Sequence, residues 1–157
     1  MSEIEKRIAV VGVGNILMGD EGIGVKAVEA LEKKELPERV ELFDGGTAFH
    51  ALIGELVNFD KLIIVDAVKG GRPPGTIYRF ELKDIEEEEK EDRTSLSLHD
   101  VGVIETLILE RLVHSIPEKI VFIGVEPERI ELSMELSSAL KKELPNLVQI
   151  VLEELEN

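Results

Sequence analysis

Short apolar runs alternate with amphipathic stretches along most of the chain. The runs at 7–11, 62–65 and 119–125 are rich in β-branched residues and apolar on both faces, which is typical of strands buried inside a parallel sheet. The run at 40–43 predicts another strand. Residues 76–82 alternate apolar and polar positions, which predicts an antiparallel strand at an edge.

Helices are predicted between these strands, where apolar residues recur at helical spacing. The predicted helices cover about 21–34, 47–57, 98–114, 133–144 and 146–155. Thr47 and Ser133 are the expected N-caps, and Pro145 is expected to separate the last two helices. The alternation predicts an α/β fold, a three-layer sandwich in which a twisted, mostly parallel, mixed sheet of five strands lies between helix layers. Residues 1–157 are expected to form a single domain.

The composition narrows the classes of partner. Lysine and arginine number 18 against 33 aspartate and glutamate residues, a net charge of −15, so neither nucleic acid nor an anionic membrane is an expected partner. No apolar run approaches the roughly 18 residues that a membrane helix needs, and the start MSEIEKRIAV does not resemble a signal peptide. The absence of cysteine excludes disulfides, thiolate ligands and a cysteine nucleophile, and it fits a reducing, cytoplasmic location.

Glutamate dominates the acidic residues, with 26 Glu against 7 Asp, and amides are scarce, with 4 Asn and 1 Gln. A composition rich in glutamate and poor in amides and cysteine is typical of thermophile proteins. A thermophile source is therefore expected, and a melting temperature in the range of ordinary mesophile domains would count against it.

A glycine-rich turn follows the first strand. Gly12 and Gly14 fit the start of a dinucleotide-binding fingerprint, but the third glycine position is Leu17. In such a site Asp44, before Gly-Gly at the end of the second strand, would bind the ribose, although it could equally be a turn residue. A pyrophosphate would lie at the helix N-terminus, where the acidic pair at 20–21 would repel it. The residues alone therefore disfavour dinucleotide binding.

Further acidic residues near strand ends are candidate site residues. Glu21 is followed by Gly22 and Gly24, and glycines in the first turn weaken a helix by roughly 1 kcal/mol each, which suggests that something approaches the backbone closely there. Asp66 directly follows a buried strand, where it is either a site residue or a turn residue. Asp20 is interpreted as an N-cap or as an acid that complements the helix dipole.

His99 is the one of the three histidines that lies where a loop meets the sheet edge. His50 and His114 fall in helix patterns and are interpreted as structural. If the connections that carry Glu21, Asp66 and His99 reach the same edge, two carboxylates and an imidazole converge there. Such a set binds a borderline divalent cation and leaves positions open for water or substrate.

Taken in order, these motifs resemble a known family. The chain carries Gly12-x-Gly14-Asn15-x-Leu17-x-x-Asp20-Glu21-Gly22-x-Gly24, then Asp44-Gly45-Gly46-Thr47, then Val65-Asp66-Ala67, then Ser97-Leu98-His99-Asp100. The series is similar to that of the hydrogenase maturation endopeptidases, the HybD/HycI-type proteases of [NiFe] hydrogenases. The resemblance covers nearly the whole chain, from residue 8 to the helices after Val125. Its glycine–asparagine–acid motif is quite specific, whereas Asp-Gly-Gly alone is weak.

The resemblance implies a single α/β domain that cleaves a short C-terminal extension from the hydrogenase large-subunit precursor, once nickel has been inserted there. The positions that recognise nickel in the family match Glu21, Asp66 and His99. The resemblance also implies that the substrate protein supplies the nickel, which the protease does not bind permanently. The precursor is therefore the expected partner, and a monomer is the default state. The acidic run at 84–93 lies outside the motifs.

Two mechanisms remain open. In the first, the residues at 21, 66 and 99 meet the nickel, and the metal activates water or polarises the scissile carbonyl. Asp44 then orients that water or acts as the base. In the second, paired carboxylates such as Asp44 with Asp20 or Asp66 carry out acid–base catalysis, and the metal is only the recognition signal. The resemblance favours nickel as a recognition determinant.

Two other classes of function are retained as alternatives. One is a nickel-sensing docking or chaperone module that binds the large subunit without cutting it, which would give a stable complex and an unchanged precursor length. The other is a Rossmann-like oxidoreductase, for which saturable NAD(P) or flavin binding would be the sign.

Overall fold

Buried strands and helices alternate along the chain, as the apolar pattern predicts. The computed structural model describes residues 6–84, 97–98, 107 and 116–157. The strands are β1 (Ile8–Val13), β2 (Val40–Gly46), β3 (Lys61–Lys69), β4 (Ile77–Glu81), β5 (Ser97–Leu98) and β6 (Lys119–Val125). The helices whose bounds lie within the described residues are α1 (Ile23–Leu31), α2 (Ile53–Leu56) and α3 (Ser138–Glu154), with 3₁₀ turns at Gly19–Gly22 and Phe49–Leu52 before the first two. His99 lies outside the described residues. Of the acidic run at 84–93 only Asp84 is described, and of the helix predicted over 98–114 only Leu98 and Leu107 are described.

The strands form one mixed sheet in the order β2-β1-β3-β6-β4, and the short β5 pairs with the end of β3. The three contacts among β2, β1, β3 and β6 are parallel, whereas β4 pairs antiparallel with β6 at the edge. The predicted α/β class, the mostly parallel sheet and the antiparallel edge strand are therefore confirmed.

Each face of the sheet buries its own apolar cluster. On one face α1 and α3 pack on the sheet through residues such as Val28, Leu140 and Val151. On the other face Phe49, Leu56 and other residues from the 3₁₀ turn and α2 cover the sheet. Alternate residues of the central strands serve the two clusters, because successive side chains of a strand point to opposite faces. The result is the predicted three-layer arrangement.

The end of the chain differs from the prediction. One helix, α3, replaces the two expected helices, and Pro145 lies inside it. A proline within a helix costs roughly 3 kcal/mol, but Leu140 and Leu147 are fully buried on the same face of the helix, on both sides of the proline. This shared burial keeps the helix continuous. The N-cap is Ser137 and not Ser133, and its Oγ accepts the Leu140 N–H at 3.4 Å.

Two other helix starts also differ from the prediction. A 3₁₀ turn takes the place of the expected first turn of helix 21–34, and α1 proper covers Ile23–Leu31. The second helix is shorter than 47–57, and Thr47 does not cap it, because the residue before its 3₁₀ turn is Ala48 and no side chain caps that turn. No helix in the described ranges is long and apolar enough to cross a membrane.

Candidate active site

The candidate residues lie around the carboxyl end of β1, where the strand order reverses. The chain leaves β1 towards β2 on one side and later returns to β3 on the other side. In open α/β sheets a crevice forms at such a switch point, outside the carboxyl ends of the strands, and ligands bind there. Glu21 follows β1, Asp44 lies near the end of β2, and Asp66 lies in β3.

Glu21 sits in the 3₁₀ turn that joins β1 to α1, and it is half-buried. Its N–H donates to the Met18 carbonyl at 3.3 Å. The turn depends on Gly19, which has a φ of 61°, a conformation that side chains disfavour. A Cβ at Gly19 would also lie 3.1 Å from the Arg129 carbonyl oxygen. The glycine-rich segment therefore fixes the path of the backbone that carries Glu21.

The start of α1 packs directly on the backbone of the sheet. A Cβ at Gly24 would lie 2.1 Å from the Val65 carbonyl oxygen and 2.6 Å from that of Val13. A Cβ at Gly12 would lie 2.3 Å from the Gly24 carbonyl oxygen. The sequence predicted that something approaches the backbone after Glu21, and the group that does so is the sheet itself. This contact joins the Glu21 turn to the residue that precedes Asp66.

The sequence predicted that Asp66 directly follows its strand, but it lies within β3. The strand is longer than predicted, because β6 and β5 continue to pair with it as far as Lys69. The Asp66 side chain is only 2% exposed, and Oδ1 accepts the Ala67 N–H at 2.7 Å. The β1–β3 pairing stops at Gly12↔Val65. Asp66 is therefore the first residue of β3 beyond its pairing with β1, and it borders the crevice.

Asp44 is exposed and lies on the opposite side of β1. It is in register with Gly12, which is also in register with Val65 of β3. Two strand spacings separate β2 from β3, so the backbones of Asp44 and Asp66 are roughly 10 Å apart. By the alternation of side chains, Asp44 shares a face with Val65 and Asp66 belongs to the other face. The two aspartates therefore do not form a directly hydrogen-bonded pair.

Asp20 is fully buried, and both of its carboxylate oxygens are used in hydrogen bonds. Oδ2 accepts the N–H groups of Glu128 and Arg129 at 2.8 and 2.9 Å and the Ser137 hydroxyl at 2.7 Å. Oδ1 accepts the Ser137 N–H at 2.7 Å. Asp20 is structural, as expected, but it caps neither its own turn nor α1. It ties that turn to the segment after β6 and to the N-cap of α3.

These bonds explain the protonation state of Asp20. Burial raises the pKa of its carboxyl, but hydrogen bonds from Ser137, Arg129 and Glu128 outweigh burial and hold the pKa below its usual value. A carboxylate that is ionised and surrounded by donors does not serve as a proton donor. Asp20 therefore does not supply the acid of a catalytic carboxylate pair.

Glu126, directly after β6, is a further carboxylate with a defined role that the motifs do not include. Its Oε1 accepts the N–H groups of Gly70 at 2.8 Å and of Arg72 at 3.2 Å, and the Tyr78 hydroxyl. Burial raises the pKa of Glu126, but these hydrogen bonds more than compensate and lower it. The signal in the sequence was an acid directly after a buried strand, the same signal that marked Asp66. Here the acid holds the loop between β3 and β4.

Glu21 and Asp66 are the members of the suggested nickel-recognising set that the structure describes, and His99 lies outside it. Within the described ranges, no three side chains of the types His, Cys, Asp and Glu form a group that could hold a metal ion. Two carboxylates beside a crevice suit a divalent cation, provided that a further donor completes the set.

Comparison with known proteins identifies the same family as the motifs. The model of the hydrogenase maturation protease family matches residues 25–154. The hydrogenase 2 maturation protease of Escherichia coli K12 is 40% identical over 148 residues, which cover 92% of this chain and 88% of that protein. The hydrogenase expression/formation protein HupD of Thiocapsa roseopersicina is 35% identical over 153 residues, with coverages of 96% and 68%.

Solved structures agree. The hydrogenase maturating endopeptidase HybD of E. coli aligns with a TM-score of 0.82 at 38% identity, over 96% of this chain and 92% of that chain. The [NiFe] hydrogenase maturation protease HybD of Thermococcus kodakarensis aligns with a TM-score of 0.78 at 26% identity, with coverages of 95% and 99%. The chain belongs to the hydrogenase maturation protease family.

Proposed function

We propose that the protein is an endopeptidase that removes a C-terminal extension from the nickel-loaded large-subunit precursor of a [NiFe] hydrogenase. Membership of the family supports the reaction class. The observation that carries the proposal is the crevice at the end of β1. There the turn that carries the half-buried Glu21 directly precedes α1, and α1 packs through Gly24 on Val65, the residue before Asp66. Carboxylates on both sides of a switch-point crevice suit a substrate that presents a cation.

In this proposal Glu21, Asp66 and His99 recognise the nickel that the precursor already holds. The metal belongs to the substrate, so the enzyme needs only an incomplete set of donors that becomes a metal site when the precursor docks. The position of Asp66 supports this role, because it is the first residue of β3 beyond the pairing with β1 and borders the crevice. Cleavage then depends on prior insertion of nickel.

Asp44 is proposed as the residue that orients the attacking water or removes its proton. Its exposure leaves room for water, and Gly45 and Gly46 follow it at the end of β2. The alternative of paired carboxylates loses support, because Asp20 is held by four hydrogen bonds and β1 separates Asp44 from Asp66. Nickel would polarise the scissile carbonyl or serve as the recognition signal alone, and the Asp44 role is compatible with either.

The composition of the chain bears on where the protein acts. The chain is proposed to act as one domain over 1–157 and as a monomer in the cytoplasm, in line with its freedom from cysteine. Its glutamate-rich composition supports a thermophile source. Size-exclusion chromatography with light scattering would test the monomer, since a dimer would double the measured mass.

The test is a processing assay. The large-subunit precursor of the same organism, with and without inserted nickel, is incubated with the wild-type protein or with Glu21→Gln, and the large subunit is weighed by mass spectrometry. We expect loss of a C-terminal peptide only with nickel and the wild-type protein. Glu21→Gln should slow processing by at least about 100-fold, because it removes one anionic donor to the metal. Far-UV circular dichroism should be unchanged.

A matched control is Glu29→Gln on α1, which is exposed and makes the same chemical change away from the crevice. It should process at the wild-type rate. A stable complex with no change in precursor mass would instead support the non-cleaving docking module. Cleavage of the nickel-free precursor would contradict the recognition role and leave the carboxylates, Asp44 first, to explain the chemistry.

A further inference from the structure

Leu17, Leu132 and Met134 form an exposed apolar patch beside the candidate active site. Their exposed fractions are 49%, 83% and 64%, and they are the large hydrophobic side chains that stand exposed in the described part of the chain. Single exposed apolar residues are common and need no explanation. These three belong to two segments that are hydrogen-bonded to each other, so their exposure calls for one common explanation.

Backbone pairing brings the two segments together. Met18 and Ser133 form a parallel β-bridge. The Ser133 N–H donates to the Leu17 carbonyl at 2.9 Å, and the Gly19 N–H donates to the Ser133 carbonyl at 2.8 Å. This is a single bridge: residue 17 lies in a turn, and the chain bends at 131–132 and at 134–135. Leu17, Leu132 and Met134 flank the two bridged residues, and all three side chains are exposed there.

The patch is held in a fixed relation to Glu21. Leu17 lies four residues before Glu21, and the Glu21 N–H donates to the carbonyl of Met18, the residue directly after Leu17. Buried Asp20 holds the other segment, because its carboxylate accepts the Arg129 N–H and its own N–H donates to the Arg129 carbonyl at 3.1 Å. A ligand on the patch is therefore positioned relative to the crevice.

The 132–134 segment also has an open backbone edge. Ser133 directs its N–H and C=O towards the 17–19 segment. Among the described residues, no hydrogen bond uses the backbone groups of Leu132 or Met134. Backbone groups that are left unused in this way can pair with those of an extended peptide, and neighbouring side chains then select the peptide's apolar residues.

The charges around the patch indicate the chemistry of the peptide. Exposed carboxylates of Glu128, Glu131 and Glu135 surround it, against the cations of Arg129 and Lys141. Lys141 is paired with Glu135 at 3.2 Å. With Glu21 nearby and a net charge of −15 for the chain, the local field is negative. It favours a segment with basic side chains next to its apolar ones.

We propose that this surface, defined by Leu17, Leu132, Met134 and the backbone edge at 132–134, binds an extended apolar and basic segment of the large-subunit precursor next to the scissile bond. The proposal rests on the proposed function and names the part of the precursor that the enzyme reads. Its continuity with the Glu21 turn favours the segment beside the cleaved bond over a distant surface of the precursor.

The first test uses the double variant Leu132→Ser/Met134→Ser in the processing assay with the nickel-loaded precursor. We expect KM to rise at least about tenfold, because truncating anchor side chains at a binding surface typically costs that much or more, while kcat stays within about twofold. The control Glu32→Ser/Lys33→Ser changes two exposed residues at the far end of α1 and leaves the net charge unchanged. It should keep the wild-type KM. An unchanged KM in the patch variant overturns the proposal.

A second test locates the contact on the precursor. The chain has no cysteine, so Leu132→Cys or the control Lys33→Cys provides a single thiol for a benzophenone label. After illumination with the nickel-loaded precursor, we expect the label at 132 to join the precursor within about ten residues of the scissile bond, and the label at 33 to give no specific product. A cross-link elsewhere on the precursor, or none, overturns the proposal. If the wild-type protein does not shorten the precursor, the proposed function fails, but the cross-link still decides the binding surface.

Discussion

At the scale of single residues, Asp20 shows that an acid next to a site residue need not belong to the chemistry. Its neighbour Glu21 is half-buried, whereas Asp20 is fully buried and accepts four hydrogen bonds. Hydrogen bonds to an ionised, buried group are stronger than neutral ones and costly to break. Asp20 therefore stabilises the backbone on which Glu21 is carried.

We expect Asp20→Asn to lower the free energy of unfolding by about 3 kcal/mol, because the amide turns a donor towards N–H or O–H groups that need an acceptor. Urea unfolding at pH 7 measures the change. Asp60→Asn is the matched control, because Asp60 is exposed and, among the residues that the structure describes, its side chain accepts one hydrogen bond, from the Arg7 N–H at 2.8 Å. It should cost less than about 1 kcal/mol. Equal losses in the two variants would contradict the structural role of Asp20.

At the scale of elements, the contact between α1 and the sheet reverses the usual effect of glycine. Replacing glycine by alanine inside a helix normally stabilises it by up to about 1 kcal/mol. At Gly24 the new Cβ would lie 2.1 Å from the Val65 carbonyl oxygen, and that backbone cannot yield without moving β3. Helix propensity is therefore the smaller effect at this position.

We expect Gly24→Ala to lower the free energy of unfolding by at least about 3 kcal/mol, near the upper end of what overpacking costs, since α1 must lift from the strands. The same shift should displace Glu21 and slow processing. Gly54→Ala in α2 is the matched control, because a Cβ there meets nothing within 4 Å. It should be neutral or stabilising by about 0.5–1 kcal/mol. Urea unfolding of both variants decides the point, and stabilisation by Gly24→Ala would refute the packing argument.

The elements that the sequence predicted best are those set by local pattern. The buried strand at 119–125 is found with the same bounds, and the edge strand at 76–82 differs by one residue at each end. Long-range packing decided the rest. The continuity of α3 through Pro145 depends on core contacts of Leu140 and Leu147, which a local pattern does not contain.

The candidate site follows the same division. The sequence marked Asp44 and Asp66 because each falls near the end of a strand, and Glu21 because Gly22 and Gly24 follow it at the start of a helix. It did not reveal that β1 stops pairing one residue before Asp66, nor that β1 lies between Asp66 and Asp44. Both facts are properties of strand order and register, which apolar patterning leaves open.

At the scale of the whole molecule, α3 connects the two ends of the sheet. Its N-terminus is bound to Asp20 beside the crevice through Ser137. Near its other end, Glu154 is only 3% exposed and accepts Lys61 Nζ at 2.8 Å and Arg79 Nε at 2.7 Å. Lys61 is the first residue of β3, so this ion cluster lies at the end of the sheet opposite the crevice.

The cluster makes stability depend on pH. Burial raises the pKa of Glu154, but hydrogen bonds and charge interactions with Arg79 and Lys61 dominate and lower the pKa from 4.5 to about 2. A carboxyl whose pKa is lower in the folded than in the unfolded protein contributes stability above the unfolded value. That contribution is complete above about pH 5 and is lost as the pH falls towards 2.

We expect the stabilising effect of Glu154 to fall by roughly 2–3 kcal/mol between pH 5 and pH 2. This value is smaller than the pKa shift alone would give, because Arg79 is partly exposed to solvent. Urea unfolding of the wild-type protein and of Glu154→Gln across this range measures it. At pH 7 the variant should be less stable by about 3–5 kcal/mol, because Lys61, 4% exposed, loses its carboxylate partner. The gap in stability between the two proteins should narrow steadily below pH 5.

The neighbouring Glu153 is exposed, so Glu153→Gln should have the same free energy of unfolding as the wild-type protein at every pH. A gap between the wild-type protein and Glu154→Gln that stays constant down to pH 2 would mean that the Glu154 carboxylate does not titrate in this window, and the ion cluster would then not be the source of acid sensitivity.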